Sequence, residues 1–442
     1  MKKKLLYFFL FLSTFPLSAQ DGFHLVANKD RVCIPFQLIN NLVFIPVIVN
    51  GVELTFMLDS GVEETVLFSL DDIKRVYLKN TEKVLLRGLG SKEAVEGLVS
   101  KGNVLQINGL ESKEHLLYII LDQSFNLSSH IGIPVNGIIG YSFLKNNLVE
   151  IDYQKKKIYI GNRTSSAKKR LEKKYEKVGL TIERAKPYLM SPVVVDSKKV
   201  AAKLLVDIGN SDAIWLFDKT NENLKIPEKN FEDYLGKGFS GDVLGRRARI
   251  DGFSIASFNF KNPIVAFPDS SSIKHIKMVP GRVGSVGGEI LKRFAVVFDY
   301  TNELMYLKRN NNYDMPFFYN KSGIEIIHSG VQWVQETVHL QTIPVYIDQI
   351  VNRDNKTASD FKYKFQLKPV YEIANVRKNS PAAIAGLKKG DVIVSINNTP
   401  GYKYSLYKIN TFFKEEGEKW VNLEIERESQ LLKFRFKLVD VL

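Results

Sequence analysis

The alternation of apolar and polar positions along this chain predicts a protein built mainly from β-strands. Branched residues are frequent from Val32 to Val49, and Asn50-Gly51 then supplies the two-residue signal of a tight hairpin. The returning stretch ends in a continuous apolar run, Phe56-Met57-Leu58, which is typical of a buried strand. Asp59-Ser60-Gly61 follows at once and predicts a turn. A carboxylate placed there needs hydrogen bonds or a partner to offset its loss of water.

The same arrangement occurs a second time, in Leu204-Leu205-Val206-Asp207-Ile208-Gly209. Each copy is followed by a short segment that ends in glycine, and Gly140 lies 81 residues after Asp59 while Gly287 lies 80 residues after Asp207. Farther on, residues 149–153 and 296–300 match again, and both end in Asp-Tyr. The spacing between the copies changes only from 148 to 147 residues, so the sequence contains an internal duplication.

The duplication predicts three units. Residues 20–164 form the first repeat and residues 165–310 the second, joined by a charged connection that runs from Ser165 to Lys177. Asparagines at positions 310–312 mark a second break. Residues 314–442 form the third unit, in which residues 380–398 predict a short helix, a glycine stop, a turn and a strand.

The composition is that of an ordinary globular protein. The chain has 442 residues, 45% of them hydrophobic and 25% charged, which is enough for two or three domains with cores of their own. Lysine and arginine number 62 against 48 acidic residues, so the net charge is +14. A basic balance can indicate nucleic acid, but the sequence has no helix-turn-helix pattern, zinc spacing or basic–aromatic sheet motif. We therefore predict a solvated basic surface and no nucleic acid partner.

The first 19 residues predict a cleaved secretory signal peptide. Lys2-Lys3-Lys4 precedes an apolar run at residues 5–12, and Ala19 supplies the small residue at the cleavage site. The apolar run is too short for a comfortable membrane span, and no later segment is long and apolar enough for one. Cys33 is the only cysteine, so no intramolecular disulfide can form. We expect an exported protein, periplasmic or secreted, without a membrane span.

The two carboxylate turns and the segment Ile138-Ile139-Gly140 resemble the paired motifs of retropepsin- and pepsin-like aspartic proteases. The resemblance implies two acid-protease-like β-barrel lobes that meet with pseudo-two-fold symmetry, followed by a further domain. It implies that Asp59 and Asp207 are catalytic. The residues that it implies as supports of the catalytic turns are Ser60, Gly61, Gly209 and Asn210.

The glycine-punctuated segment before the strands of the first repeat suits a mobile hairpin that covers a cleft, although an exposed surface hairpin fits the pattern equally well. Its candidate flap residues are Gly88, Gly90 and Ser91. Residues 238–242 stand in the corresponding place of the second repeat.

The run from Ser380 to Ile393 resembles the core of a PDZ domain. By that likeness, Gly323, Ile324 and Glu325 belong to a loop whose backbone N–H groups hold a peptide carboxylate. The resemblance implies a peptide C-terminus or internal peptide as partner of this domain, and a polypeptide as substrate of the lobes. A signal peptide, two protease-like lobes and a PDZ domain together are similar to the exported aspartyl proteases of bacteria.

Two carboxylates about 3 Å apart cannot both ionise cheaply, so such a pair keeps one shared proton over a range of pH. The ionised member can take a proton from a bound water while the protonated member polarises the scissile carbonyl. This chemistry needs no metal and no organic cofactor. Because the duplication supplies both carboxylates in one chain, a homodimer is unnecessary and we expect a monomer.

The second turn departs from the family pattern. Ser60 has a hydroxyl that can hydrogen-bond across the lobe interface, but its counterpart Ile208 has none. Asn210 and Ser211 are the polar candidates for a contact with the second carboxylate. The departure keeps an alternative open: a catalytically inactive, protease-fold peptide-binding protein whose PDZ domain is the functional part.

Other hydrolytic chemistries have little support in the sequence. The six histidines are dispersed and show no metal-ligand spacing. Neither Ser142 nor Ser285 stands in the G-x-S-x-G context of a serine hydrolase.

Overall fold

A computed structural model describes residues 22–26, 29–68, 76–86, 94–122, 125–218, 220–238, 240–339, 361–415 and 417–442. The fold is mainly β, with 53% of residues in strands and 12% in helices, which confirms the predicted fold class. No helix among these residues is long and apolar enough to cross a membrane.

The first repeat folds into a lobe of short strands and two short helices, here called the first lobe. Its elements are β1 (His24–Leu25), β2 (Arg31–Pro35), β3 (Gln37–Ile39), β4 (Leu42–Val49), β5 (Val52–Leu58), β6 (Thr65–Leu67), β7 (Thr81–Leu86), β8 (Val95–Ile107), β9 (Leu110–Ile120), α1 (Leu127–Ile131), β10 (Gly137–Ile139), α2 (Tyr141–Leu144), β11 (Leu148–Asp152) and β12 (Lys157–Gly161). Asn50 and Gly51 adopt positive φ angles between β4 and β5, as the hairpin signal predicts.

The main sheet of the first lobe closes on itself. Its strands follow the order β1-β9-β6-β10-β5-β4-β8-β7, with β3 on β4, and β8 also pairs with β9. Inside it, β10 runs parallel to β5, so that Ile139 stands opposite Leu58. The buried faces of these strands form a continuous apolar core, and Leu58 and Ile139 are both fully buried in it. The turn after β5 is therefore held against a rigid sheet.

The second repeat forms the second lobe, with helices α3 (Ser165–Lys174), α4 (Ser270–Ile273) and α5 (Gly288–Leu291). Its strands are β13 (Glu176–Gly179), β14 (Thr181–Glu183), β15 (Lys186–Val195), β16 (Lys198–Val206), β17 (Ile214–Leu216), β18 (Asn230–Gly238), β19 (Gly241–Arg249), β20 (Gly252–Ile255), β21 (Phe258–Lys261), β22 (Ile264–Pro268), β23 (Arg282–Val286), β24 (Phe294–Asp299) and β25 (Leu304–Arg309). The main sheet has the order β18-β19-β22-β17-β23-β16-β15-β20-β21, with β14 on β15. Here β23 runs parallel to β16, as β10 does to β5.

A third sheet joins the two lobes, in the order β13-β25-β24-β11-β12-β2. At its centre β11 pairs with β24 in antiparallel register, with Glu150 opposite Val297. These two residues stand 147 positions apart and are equivalent in the duplication. The pseudo-two-fold axis that relates the repeats therefore passes through this pair.

The charged connection between the repeats contains a helix, α3. Thr164 caps its start by accepting a hydrogen bond from the Ala167 N–H. Leu171 is the apolar residue that the helix buries, against the sheet that joins the lobes. Behind it, Arg170 Nη2 donates to Glu150 Oε2 at 3.0 Å. The connection is thus packed against the interlobe sheet.

The C-terminal domain has a six-stranded sheet ordered β26-β27-β28-β30-β31, with β29 on β28. Its elements are β26 (Ile324–His339), β27 (Phe361–Val376), α6 (Pro381–Ala385), β28 (Val392–Ile396), β29 (Thr399–Pro400), α7 (Leu406–Phe412), β30 (Trp420–Arg427) and β31 (Gln430–Lys437). Ser380 caps α6 and Gly386, at φ +96°, ends it, so the predicted helix, glycine stop and following strand are confirmed.

The segment that leads into this domain is fixed to the second lobe by Arg293, whose side chain is 1% exposed. Its guanidinium donates to the carbonyl oxygens of Asn312, Tyr313, Met315 and Pro316 and lies 4.0 Å from the centre of the Phe317 ring. Glu289 accepts from the same guanidinium at 2.9 Å. One buried cation thus holds the chain at the break that the sequence predicts after the second repeat.

Candidate active site

The two repeated turns place their aspartates in equivalent backbone positions. The Asp59 N–H donates to the Ile139 carbonyl at 2.9 Å, and the Asp207 N–H donates to the Val286 carbonyl at 2.9 Å. Each aspartate therefore follows a buried strand and is fixed by the neighbouring parallel strand. Both side chains line one cavity of about 710 Å³ between the lobes.

The two carboxyl groups lie within hydrogen-bonding reach of each other. The Gly61 N–H also donates to Asp59 Oδ1 at 2.7 Å. A Cβ atom at Gly209 would lie 2.1 Å from Asp59 Cγ, and one at Gly61 would lie 3.1 Å from Asp207 Oδ1. Each glycine thus leaves room for the aspartate of the opposite lobe, which is why a side chain at Gly209 is incompatible with this pair.

The environment distinguishes the two aspartates. Burial, and next the neighbouring Asp207 carboxylate, raise the pKa of Asp59 well above its ordinary value. Burial also raises the pKa of Asp207, but the Arg282 guanidinium and the hydrogen bond with Asp59 oppose that rise. The pair titrates as a unit that holds one shared proton, and the Arg282 guanidinium beside Asp207 stabilises the negative charge that the pair carries.

Ser60 connects the two turns across the lobe interface. Its Oγ donates to the Val206 carbonyl at 2.6 Å and accepts from the Ile208 N–H at 3.0 Å. The Ile208 side chain is fully buried in the apolar core and has no hydroxyl with which to return the contact. The hydrogen bonds between the two turns are therefore made by a side chain of the first lobe alone.

Asn210, one of the polar candidates beside the second carboxylate, points its oxygen elsewhere. Asn210 Oδ1 accepts from the Asp212 N–H at 2.9 Å. Its Nδ2 is buried without a hydrogen-bond partner among the described residues, and the residue lines the cavity. The orphaned N–H donors are available to a group that enters the cavity.

Two cations that sequence reasoning missed also line the cavity near the aspartates. Arg282 donates to the Gly284 carbonyl at 3.1 Å and to Ser285 Oγ at 3.0 Å. Its charge, and that of Lys186, lower the pKa of Asp207. Neither residue stands in a recognisable motif, so only the folded arrangement shows their proximity to the carboxylates.

The candidate flap residues Gly88, Gly90 and Ser91 lie outside the described residues, so their role stays a prediction. The strands on either side of them, β7 and β8, pair as an antiparallel hairpin. In the second lobe, β18 and β19 form the corresponding hairpin. On this hairpin, Arg247 binds Asp212 at 2.7 Å and Asp233 at 2.6 Å.

The C-terminal domain forms a third wall of the cavity. Gly323, Ile324 and Glu325, the candidate carboxylate-binding loop, all line it. Asn320 Oδ1 accepts from the N–H groups of Ser322 and Gly323 at 3.1 and 3.3 Å, and Ser322 Oγ accepts from the Ile324 N–H at 3.3 Å. A peptide carboxylate held by this loop would have to displace these side chains.

Comparison with known families agrees with this geometry. A family model described as aspartyl protease matches residues 45–143, a span that includes Asp59 and the β10 strand behind it. The chain therefore contains an aspartyl protease domain. A model described as PDZ domain matches residues 372–427, so the chain also contains a PDZ domain. Both resemblances drawn from the motifs are confirmed. A search of curated proteins finds no match.

The protease match ends before the second repeat begins. The assignment of Asp207 therefore depends on the internal duplication and on the geometry of its turn. No cluster of three metal-ligating side chains occurs in the part of the chain that the structure describes.

Proposed function

We propose that this protein is an aspartic endopeptidase that hydrolyses peptide bonds in the cavity between its lobes. The observation that supports this most directly is the convergence of Asp59 and Asp207 from two turns with the same backbone contacts. Each carboxyl group is half-buried at the cavity wall, each is flanked by the glycine of the other turn, and the two share a hydrogen bond. This is the arrangement that water activation by a carboxylate pair requires.

In the proposed mechanism a water molecule lies between the carboxyl groups and beside the scissile carbonyl. Asp207 takes a proton from the water as the water oxygen attacks the carbonyl carbon. Asp59 donates its proton to the carbonyl oxygen in the same step. The resulting tetrahedral diol collapses when Asp207 passes its proton to the amide nitrogen and one diol hydroxyl returns a proton to Asp59. The C–N bond breaks, the products are an acid and an amine, and the pair regains its starting state.

The one-sided contact of Ser60 bears on this proposal because it fixes the separation of the two turns. Both partners of Ser60 Oγ are backbone groups directly beside Asp207. The second turn is thus held to the first even though Ile208 has no hydroxyl. We infer that the departure at Ile208 is compatible with a working carboxylate pair.

The test is cleavage of a mixed peptide library by the mature chain from acidic to neutral pH. Asp59→Asn and Asp207→Asn should each reduce kcat/KM by about 100-fold or more, since general acid–base groups contribute about 10²–10⁴-fold. Asp152→Asn is the matched control, because Asp152 recurs in the duplication but accepts from the Lys155 N–H in a surface turn. Peptide binding without cleavage at any pH would favour the inactive, peptide-binding alternative.

We propose further that the protein is exported, periplasmic or secreted, after cleavage behind Ala19. The support is the basic and apolar pattern of the first 19 residues. Cell fractionation and mass spectrometry of the mature N-terminus would test this. Gln20 as the first residue is expected, and a cytoplasmic protein that retains Met1 to Ala19 would contradict export.

A further inference from the structure

The PDZ domain is packed so that its usual peptide groove faces the protease lobes. A PDZ domain binds an extended peptide by adding it to an exposed strand edge, and β26 is the edge strand beside α7 here. Helix α1 of the first lobe packs against β26. Behind α1, a Cβ atom at Gly132 would lie 2.8 Å from Leu406 Cβ, at the start of α7. The groove is therefore covered by the chain's own first lobe.

Further contacts hold this arrangement. His130 Nδ1 lies 3.9 Å from Glu325 Oε1, and the His130 ring stacks on Tyr234 of the second-lobe hairpin with 6.2 Å between ring centres. Arg377 of the PDZ domain lies 3.7 Å from Asp233 and 4.1 Å from the centre of the Phe231 ring. The PDZ domain is thus joined to both lobes around the mouth of the cavity.

One cation on the PDZ wall of the cavity has no hydrogen-bond or ion-pair partner in the part of the chain that the structure describes. Lys414 follows α7 and lines the cavity that Asp59 and Asp207 also line. Its ammonium group makes no hydrogen bond or ion pair with any residue that the structure describes. Burial lowers the pKa of Lys414. An isolated ammonium group that has lost water to burial is stabilised when an anion binds it.

The other charges near Lys414 are already paired. Asp212 is bound by Arg247 and accepts from the Trp215 indole N–H at 2.8 Å. Glu289 is bound by Lys292 at 2.7 Å and by Arg293. Glu325 faces His130. Arg247, which repels Lys414, has its guanidinium on Asp212 and Asp233.

Two amide side chains of the PDZ domain line the same cavity as Lys414. Asn410 on α7 and Asn375 on β27 both line the cavity. Their amide groups can donate N–H bonds to an oxygen ligand. An ammonium and amides that line the same cavity suit a carboxylate, which accepts hydrogen bonds through both oxygens.

We propose that Lys414 forms a substrate subsite for a carboxylate of the peptide, supplied by the PDZ wall of the protease cavity. This inference rests on the proposed protease function and adds to it a specificity-determining residue outside the two lobes. The carboxylate is either the peptide's C-terminus or an Asp or Glu side chain. The PDZ domain then acts as part of the catalytic cleft, with its own peptide groove closed.

The test uses the full mature chain carrying Asp59→Asn, so that peptides bind without turnover. Fluorescence anisotropy gives the Kd of labelled peptides with a free or amidated C-terminus, and of matched pairs with Asp or Glu replaced by Asn or Gln. We expect peptides with the recognised carboxylate to bind about tenfold more tightly, a difference of about 1.4 kcal/mol. Comparing the C-terminal pairs with the side-chain pairs shows whether the C-terminus or a side chain supplies the recognised carboxylate.

Lys414→Met in this background should abolish the difference, Lys414→Arg should retain it, and Lys408→Met on the exposed face of α7 is the matched control. Thermal unfolding should show that Lys414→Met is at least as stable as the parent, because it removes an unpaired charge. Equal binding of charged and neutral peptides would overturn the subsite and leave the protease proposal standing. Absence of any peptide binding would overturn both.

Discussion

At the scale of single residues, the two aspartates look alike in the sequence and differ in the fold. The duplication predicts both of them because they stand inside repeated motifs, and the resemblance to aspartic proteases implies the Ser60 contact across the interface. It gives no sign of Arg282. That residue approaches Asp207 only because β23 pairs with β16, a contact between segments about 80 residues apart.

The Ser60 contact leads to a prediction about stability. Ser60→Ala leaves the Val206 carbonyl and the Ile208 N–H without their partner in a buried interface. The free energy of unfolding should fall by about 1–3 kcal/mol, the usual cost of an unsatisfied buried group. Thermal or denaturant unfolding measures this, with Ser60→Thr as the control that keeps the hydroxyl. Unchanged stability in Ser60→Ala would show that the contact does not hold the lobes together.

Arg282 leads to a prediction about the pH dependence of activity. Its charge lowers the pKa of Asp207, which takes the proton of the water in the mechanism that we propose. Arg282→Gln should therefore raise that pKa and move the acidic limb of the kcat/KM profile to higher pH. Rates of peptide cleavage measured across pH give the position of this acidic limb. Arg249→Gln is the control, because Arg249 makes an exposed hydrogen bond in the same lobe, and it should leave the limb unchanged. A limb that moves to lower pH would contradict the assigned role.

At the scale of secondary-structure elements, local signals predict the hairpins and the PDZ helix, but not every element. The β4–β5 hairpin follows from Asn50-Gly51, and α6 follows from its Ser-Pro start and glycine stop. Helix α3 is nearly all polar and charged, and it buries Leu171 alone, so its sequence reads as a connection. Its helical form depends on the interlobe sheet beneath it, which no local pattern specifies.

Arg247 leads to a prediction about the stability of the β18–β19 hairpin beside the cavity. Arg247 binds the carboxylates of Asp212 and Asp233 together. Arg247→Leu should lower the free energy of unfolding by about 3 kcal/mol, since it removes the shared cation from two partly buried carboxylates. Hydrogen exchange should rise mainly in residues 230–249. Arg246→Leu is the control on the same strand, because its contact with Glu232 is exposed. Equal effects of both variants would exclude a special role for Arg247.

At the scale of the whole molecule, the sequence predicts three successive units and the structure packs the third against the other two. The order of units could be predicted from the duplication and the PDZ motif. Their packing could not, because the residues that make it, such as His130, Glu325 and Arg377, are of types common on any protein surface. The shape of the cavity is therefore a property of the whole chain.

The buried carboxylate pair predicts how the stability of the whole molecule depends on pH. The folded-state pKa of Asp59 is raised well above its ordinary value, so its contribution to stability is complete at low pH, below the unfolded pKa of about 4. That contribution is lost as the pH rises from there through the folded pKa. Asp59→Asn should flatten this decline and raise the Tm at neutral pH. A variant with the same decline as the parent would show that Asp59 is not the titrating group.

The guanidinium of Arg293 has a practical consequence for anyone who wishes to exchange domains between proteins of this architecture. A C-terminal domain joined by a flexible linker could be replaced by a homologous domain and would still pack correctly. Here four backbone carbonyl groups of the connecting segment are bound by a residue that belongs to the preceding lobe. A chimera whose two parts are joined between residues 293 and 317 would take Arg293 from one parent and the carbonyl groups that it binds from the other. A junction outside this stretch would keep both from the same parent.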